Sequence, residues 1–99
     1  MDEVYIPSKV SKIYENAFAG CSYLTKVEIP KNSNLQKIGE RAFYRTKINV
    51  IFISPKVSEI SNFTFYLCRN FQKIEISTNS NLQVIEPLAF ADSKVLKIL

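Results

Sequence analysis

The sequence has no histidine and no tryptophan among its 99 residues, and only two glycines and two cysteines. Without histidine, the commonest general base and metal ligand is missing. Gly20 and Gly39 are too few for a loop that cradles phosphate. There is no nucleophile elbow and no acid pair at metal-ligand spacing, so no enzyme activity, cofactor or metal is expected. The longest apolar run, Val50 to Ile53, is far too short to cross a bilayer, and no membrane insertion is expected. Met1-Asp2-Glu3 opens straight into repeat sequence, without a basic leader or an apolar secretory core. As written, the chain is therefore expected to be soluble and without an export signal. The net charge of +4 is mild and its positive charges are scattered along the chain. Nucleic-acid binding asks for a continuous basic stripe with aromatics between, so no nucleic-acid partner is expected.

What the chain does have is a repeat. At 46% hydrophobic and 22% charged residues it has the composition of one folded domain. Val4-x-Ile6-Pro7 leads to Val10, Ile13, Ala17-Phe18, Cys21 and Leu24. Val27-x-Ile29-Pro30 leads to Leu35, Ile38, Ala42-Phe43, Thr46 and Ile48. Ile51-x-Ile53 leads to Val57, Ile60, Thr64-Phe65, Cys68 and Phe71, and Ile74-x-Ile76 to Leu82, Ile85, Ala89-Phe90, Ser93 and Val95. The units alternate between 23 and 24 residues, and the true period is the 47-residue pair from Val4 to Ile51. The longer units share Asn-Ser-Asn-Leu-Gln, at 32–36 and again at 79–83. Coils are thus expected at about 4–26, 27–50, 51–73 and 74–97, with a fifth strand starting at Ile98.

Each unit mixes two periods. Around Val27 and Ile29 apolar and polar residues alternate, as in a strand with one buried face. Leu24-x-x-Val27-x-Ile29-x-x-Asn32 and Phe71-x-x-Ile74-x-Ile76-x-x-Asn79 fit the strand motif of leucine-rich repeats. Ile38, Ala42 and Phe43 sit at helical offsets, which suits one or two helical turns on the opposite side. The reading is an α/β repeat: a leucine-rich-repeat solenoid with a short parallel sheet on one face and short helical turns opposite. Strands are expected near 4–6, 26–29, 50–53, 73–76 and 96–98. Pro7, Pro30 and Pro55 fall just after a strand, where proline ends ladder pairing. No single coil can bury its own apolar face, so coils stack, and Phe18, Phe43, Phe65 and Phe90 are expected to form one internal column. Ala17, Ala42 and Ala89 leave room for the neighbouring ring, and Thr64 puts a hydroxyl at the same buried position.

The run Ile-Pro-x-x-Val-x-x-Ile-x-x-x-Ala-Phe-x-x-Cys-x-x-Leu, from Ile6 to Leu24, resembles the BspA-like class of leucine-rich repeats, over essentially all 99 residues. Members occur in surface proteins of host-associated bacteria and in surface-antigen families of mucosal protists. The resemblance implies a right-handed parallel solenoid, a role in adhesion or protein binding, and a place at the cell surface or outside the cell.

Cys21 and Cys68 hold the same position in alternate coils. Two strand spacings separate them by roughly 9.5 Å, beyond the reach of a disulfide, so two buried free thiols are expected. Asn32 and Asn79 are expected to bond backbone groups where the chain leaves the strand, and Asn62-Phe63-Thr64 is a glycosylation sequon by rule. Residues between the buried strand positions should stack in outward columns. Tyr5, Glu28, Phe52, Glu75 and Leu99 form one, with Lys26, Val50, Lys73 and Lys97 beside it. Phe52 and Val50 are expected to stand exposed, flanked by Lys26–Glu28 and Lys73–Glu75, as an aromatic contact surface for a protein partner. The alternative is a structural role. Val95, Leu96, Ile98 and Leu99 close the chain with apolar residues, so self-association through that C-terminal edge is expected.

Overall fold

The computed structural model describes residues 2–93 and, as backbone, Lys97 and Ile98. It is a parallel β-solenoid of about four coils. Strands β1 (Glu3–Tyr5), β3 (Lys26–Glu28), β5 (Val50–Ile53), β7 (Lys73–Ile76) and β9 (Lys97–Ile98) line one side. Their pairing is parallel, with Val4 opposite Val27 and Ile51 opposite Ile74, the register that the repeat predicts. The expected single sheet is two: β1–β3 and β5–β7–β9, with β3 and β5 side by side but unladdered. Leu96 and Leu99, expected at the free edge, lie outside the described residues, as does Val95.

A second parallel sheet runs beside the first. Strands β2 (Lys12–Ile13), β4 (Lys37–Ile38), β6 (Glu59–Ile60) and β8 (Val84–Ile85) pair in that order. Each has two residues, one turned outward and one isoleucine turned inward, so a pattern too short to read as alternation still builds a ladder.

The expected helical turns are absent among the described residues. From Glu15 to Gly20, and at the matching places in the other coils, the chain runs in consecutive turns. Two residues per coil take left-handed backbone angles: Asn16 and Gly20, Arg41 and Arg45, Phe63 and Leu67, with Asp92 in the last coil. An α-helix cannot contain such residues, because a positive φ reverses the backbone's turn and breaks the N–H to i−4 carbonyl ladder. The hydrogen bonds show what the backbone gains instead. Ala17, Ala19 and Cys21 N–H donate three residues back, to Tyr14, Asn16 and Phe18. The alternate donors Asn16, Phe18 and Gly20 bond the next coil's Glu40, Ala42 and Tyr44 carbonyls at 3.0, 2.8 and 2.8 Å. Phe43 and Arg45 do the same to Thr64 and Tyr66, and Phe65 and Leu67 to Ala89 and Ala91. The side opposite the strands is thus a third inter-coil ladder. No helix among the described residues is long and apolar enough to cross a membrane.

The core lies between these ladders. The rings of Phe18, Phe43, Phe65 and Phe90 stack nearly parallel, with centroids 5.5, 5.6 and 5.0 Å apart, as the repeat predicts. Phe43 and Phe65 are fully buried, and Phe18 and Phe90, in the outer coils, are half-buried. Phe71 fills the space beside them, 4.9 Å from Phe65 and tilted. Ala42 and Ala89 are buried as expected, whereas Ala17, in the first coil, is exposed. Thr64 is buried, and its hydroxyl lies 2.8 Å from the Ser61 carbonyl and 3.0 Å from that of Gly39, so its proton always has an acceptor. Gly39 is required by close approach: a Cβ there would sit 2.7 Å from Glu15 N and 2.8 Å from the Ile13 carbonyl oxygen.

The cysteines divide. Both are free thiols, but only Cys68 is buried. Its Sγ donates to the Phe43 carbonyl at 2.9 Å and lies 3.4 Å from Thr46 Oγ1, both in the preceding coil. Cys21, in the first described coil, is exposed. The asparagine expectation also needs correction. Asn32 is exposed, and the turn is closed by Ser33, whose buried Oγ accepts from Leu35 N–H at 3.0 Å. Ser80 does the same for Leu82 N–H, also at 3.0 Å, while the exposed Asn79 only accepts from Ser77 Oγ. The sequon is occupied by structure: Asn62 Oδ1 accepts from Leu88 N–H at 3.2 Å, and Thr64 is buried.

Candidate functional site

The strand register assembles the outward columns. Tyr5 lies opposite Glu28, Phe52 opposite Glu75, and Val50 opposite Lys73. Alternation along each strand sends these side chains away from Val27, Ile51 and Ile74, which are buried. Lys26 Nζ lies 3.8 Å from Glu28 and Lys73 Nζ 3.4 Å from Glu75, each pair spanning one strand. Both pairs are open to water and so add little stability, but they fix where the charges stand. Tyr5 is 55% exposed. Val50 and Phe52 are half-buried rather than fully exposed, because β5 sits in the middle of the array and neighbours flank it on both sides. The side chains of Lys97 and Leu99, expected to continue the columns, lie outside the described residues.

Phe52 also forms a wall of a groove of about 450 Å³ with Lys31, Pro55, Ile76 and Thr78. The groove opens where the strands give way to the loops that follow them. It offers one aromatic face, one proline, one isoleucine and a lysine, which suits an apolar side chain carried on a polar segment.

Residues 1–99 match, in 6 copies, the BspA-type leucine-rich repeat region. The chain belongs to this family. Among solved structures, the BspA-type repeat seen here is similar to the pneumococcal vaccine antigen PcpA, at 25% identity and a TM-score of 0.89. The likeness covers 98% of this chain and 26% of PcpA, so the repeats described here span about a quarter of that antigen. No curated protein sequence matches the chain.

Three features of this BspA-type array escape the sequence. Glu3 pairs in register with Lys26, two residues before Tyr5, so the second column begins with an acid. Lys31, Pro55 and Thr78 reach the Phe52 groove from loops, where no period marks them. The second sheet bears a groove of about 400 Å³ of mixed charge, in which Lys37 Nζ meets Glu59 at 3.5 Å and Lys12 Nζ stands 4.7 Å above the Tyr14 ring.

Proposed function

We propose that this BspA-type repeat array is a protein-binding module of a surface or extracellular protein, acting through the face of β3, β5 and β7, and not an enzyme. The observation that supports this reading is Phe52, half-buried between two ion pairs and forming the wall of a groove. Contact hot spots are aromatic anchors in partly desolvated settings, ringed by polar groups that exclude water. The fold's rigidity serves the same end, since a stacked array holds the columns fixed before a partner arrives. The surface location rests on the family and on the likeness to a vaccine antigen.

A peptide-display selection tests the reading without a partner having to be chosen first. Random peptides enriched on the wild-type chain are expected to lose at least tenfold in affinity for the Phe52→Lys variant. They should keep their affinity for Tyr14→Lys, which puts a lysine in place of an aromatic ring just after β2, beside the second sheet. Equal binding to wild type and Phe52→Lys overturns the assignment.

A second reading has its own support. Ile85 points along the same inward column as Ile13, Ile38 and Ile60, yet it is 41% exposed, with Val84 and Leu88 exposed beside it. Such an apolar coil face suits stacking of further coils or of a second copy. A sedimentation mass that rises with concentration, and falls back on Ile85→Lys, supports stacking; a constant monomer mass excludes it.

A further inference from the structure

The fold gathers cations that the sequence disperses. Arg45 and Lys47 of the second coil and Arg69 of the third line one groove of about 420 Å³, together with Ser22 and Asn70. No carboxylate lines it. Among the described residues none of the three cations forms an ion pair, whereas Lys26, Lys37, Arg41 and Lys73 each meet a glutamate. Here positive charge is concentrated and left unneutralised, a focused field that attracts anions.

The groove follows the solenoid axis. Ser22, Lys47 and Arg69 hold the same repeat position in successive coils. Stacked strands lie about 4.8 Å apart, so these side chains start from a line of evenly spaced points. That spacing is comparable to the advance of one sugar unit along an extended polysaccharide. The backbone at the groove is already committed: Gly20, Arg45 and Lys47 N–H donate to the Tyr44, Tyr66 and Leu24 carbonyls. A peptide cannot add as a strand there, and recognition falls to side chains. Guanidinium forks take oxyanions with two parallel hydrogen bonds. Ser22 and Asn70 supply the neutral donors and acceptors that sugar hydroxyls need.

We propose that this groove binds a linear anionic glycan, with Lys47 and Arg69, one coil apart, holding sulfate or carboxylate groups on successive sugars and Arg45 reinforcing the Lys47 end. It is separate from the Phe52 face and does not depend on that face's role.

Fluorescent hexasaccharides titrated into the whole chain at about 0.15 M ionic strength test this. One is of the sulfated heparin type and the other of α2,8-linked sialic acid, so the two arms separate sulfate from carboxylate recognition. The variant Arg45→Asn/Arg69→Ser removes two forks, asparagine being chosen because it tolerates the left-handed angle at Arg45. Each lost charge-assisted contact is expected to weaken binding about tenfold. Lys9→Ser/Lys56→Ser, with the same change in net charge and at exposed positions outside both grooves, is expected to weaken it less than threefold. Lys47→Ser alone, at an exposed position, checks the result without touching a left-handed residue and should cost about tenfold. Equal losses in groove and control variants overturn the proposal, and so does the absence of binding to both glycans. It is also overturned if a polyglutamate peptide or a single-stranded oligonucleotide of matched charge binds as tightly.

Discussion

Cutting out one ring of the phenylalanine column should cost more in the middle than at the end. Phe65 is fully buried, stacked between Phe43 at 5.6 Å and Phe90 at 5.0 Å, and packed on Phe71. Truncation of a buried phenylalanine to alanine costs about 3–5 kcal/mol, and each lost aromatic pair adds about 0.5–1.5 beyond area burial. Phe65→Ala therefore belongs near the top of that range, about 5 kcal/mol. Phe18 is half-buried and stacks on Phe43 alone, so Phe18→Ala should cost about half as much, near 2 kcal/mol. A 99-residue domain has about 5–15 kcal/mol in total, and a solenoid whose outer coils have a neighbour on one side only belongs near the lower end. Phe65→Ala is thus expected to be about half unfolded at 25 °C, while Phe18→Ala stays folded. Urea denaturation followed by circular dichroism reads this directly. With m of about 1–2 kcal/mol/M, Phe18→Ala lowers the midpoint by about 1–2 M. The milder Phe65→Leu keeps the comparison measurable if Phe65→Ala has no folded baseline, and it should still lose more than Phe18→Leu. Equal losses at the two positions would refute the stacked column as the source of stability.

Three further perturbations probe local packing. Gly39→Ala should cost about 1–3 kcal/mol, because its Cβ meets the backbone of the first coil rather than a side chain able to yield, as a shift in thermal midpoint will show. Ser54 is buried with no hydrogen-bond partner for its Oγ, so Ser54→Ala should leave stability unchanged or raise it by about 1 kcal/mol in the same assay. Cys21 should be labelled by a thiol reagent in the native chain while Cys68 stays unlabelled until denaturation, followed by mass spectrometry. Burial pushes the Cys68 thiol's pKa up, against the lowering influence of its Thr46 contact, so the unfolded chain loses that proton first as pH rises. Stability should therefore fall above about pH 9, and this loss should shrink in Cys68→Ala with Cys21→Ser as the common background.

The strands and the ring column are legible in the sequence because each repeats on a period that physics enforces. Val27, Ile51 and Ile74 recur at coil spacing, and a shift of one residue would turn every one of them to water. The helical reading of Ile38, Ala42 and Phe43 failed for a specific reason. A turn built with left-handed residues also brings those three positions to one side, and the residues that adopt it here include Arg41, Arg45, Phe63 and Leu67. Left-handed angles are read from glycine, asparagine or aspartate, and in the first three coils only Gly20 and Asn16 carry that mark. Burial failed where a position lost its neighbour: Cys21 and Cys68 are equivalent in the repeat and differ only in having a coil before them. The Phe52 face was visible as columns, though its groove was not, since Lys31, Pro55 and Thr78 belong to loops without periodicity. Arg45 and Lys47 are near neighbours in the sequence, but Arg69 joins them only when the coils are laid over one another, a comparison that the apolar positions invite and the polar ones do not.

The claim that the strand face is the binding surface meets its most direct test in backbone amide shift mapping of the labelled chain against a display-selected peptide. The largest shifts are expected on Lys26–Glu28, Val50–Ile53 and Lys73–Ile76, with the Lys31 and Thr78 loops following. Shifts concentrated on the turns from Glu40 to Arg45 and from Asn62 to Leu67, with the strands unmoved, would contradict it.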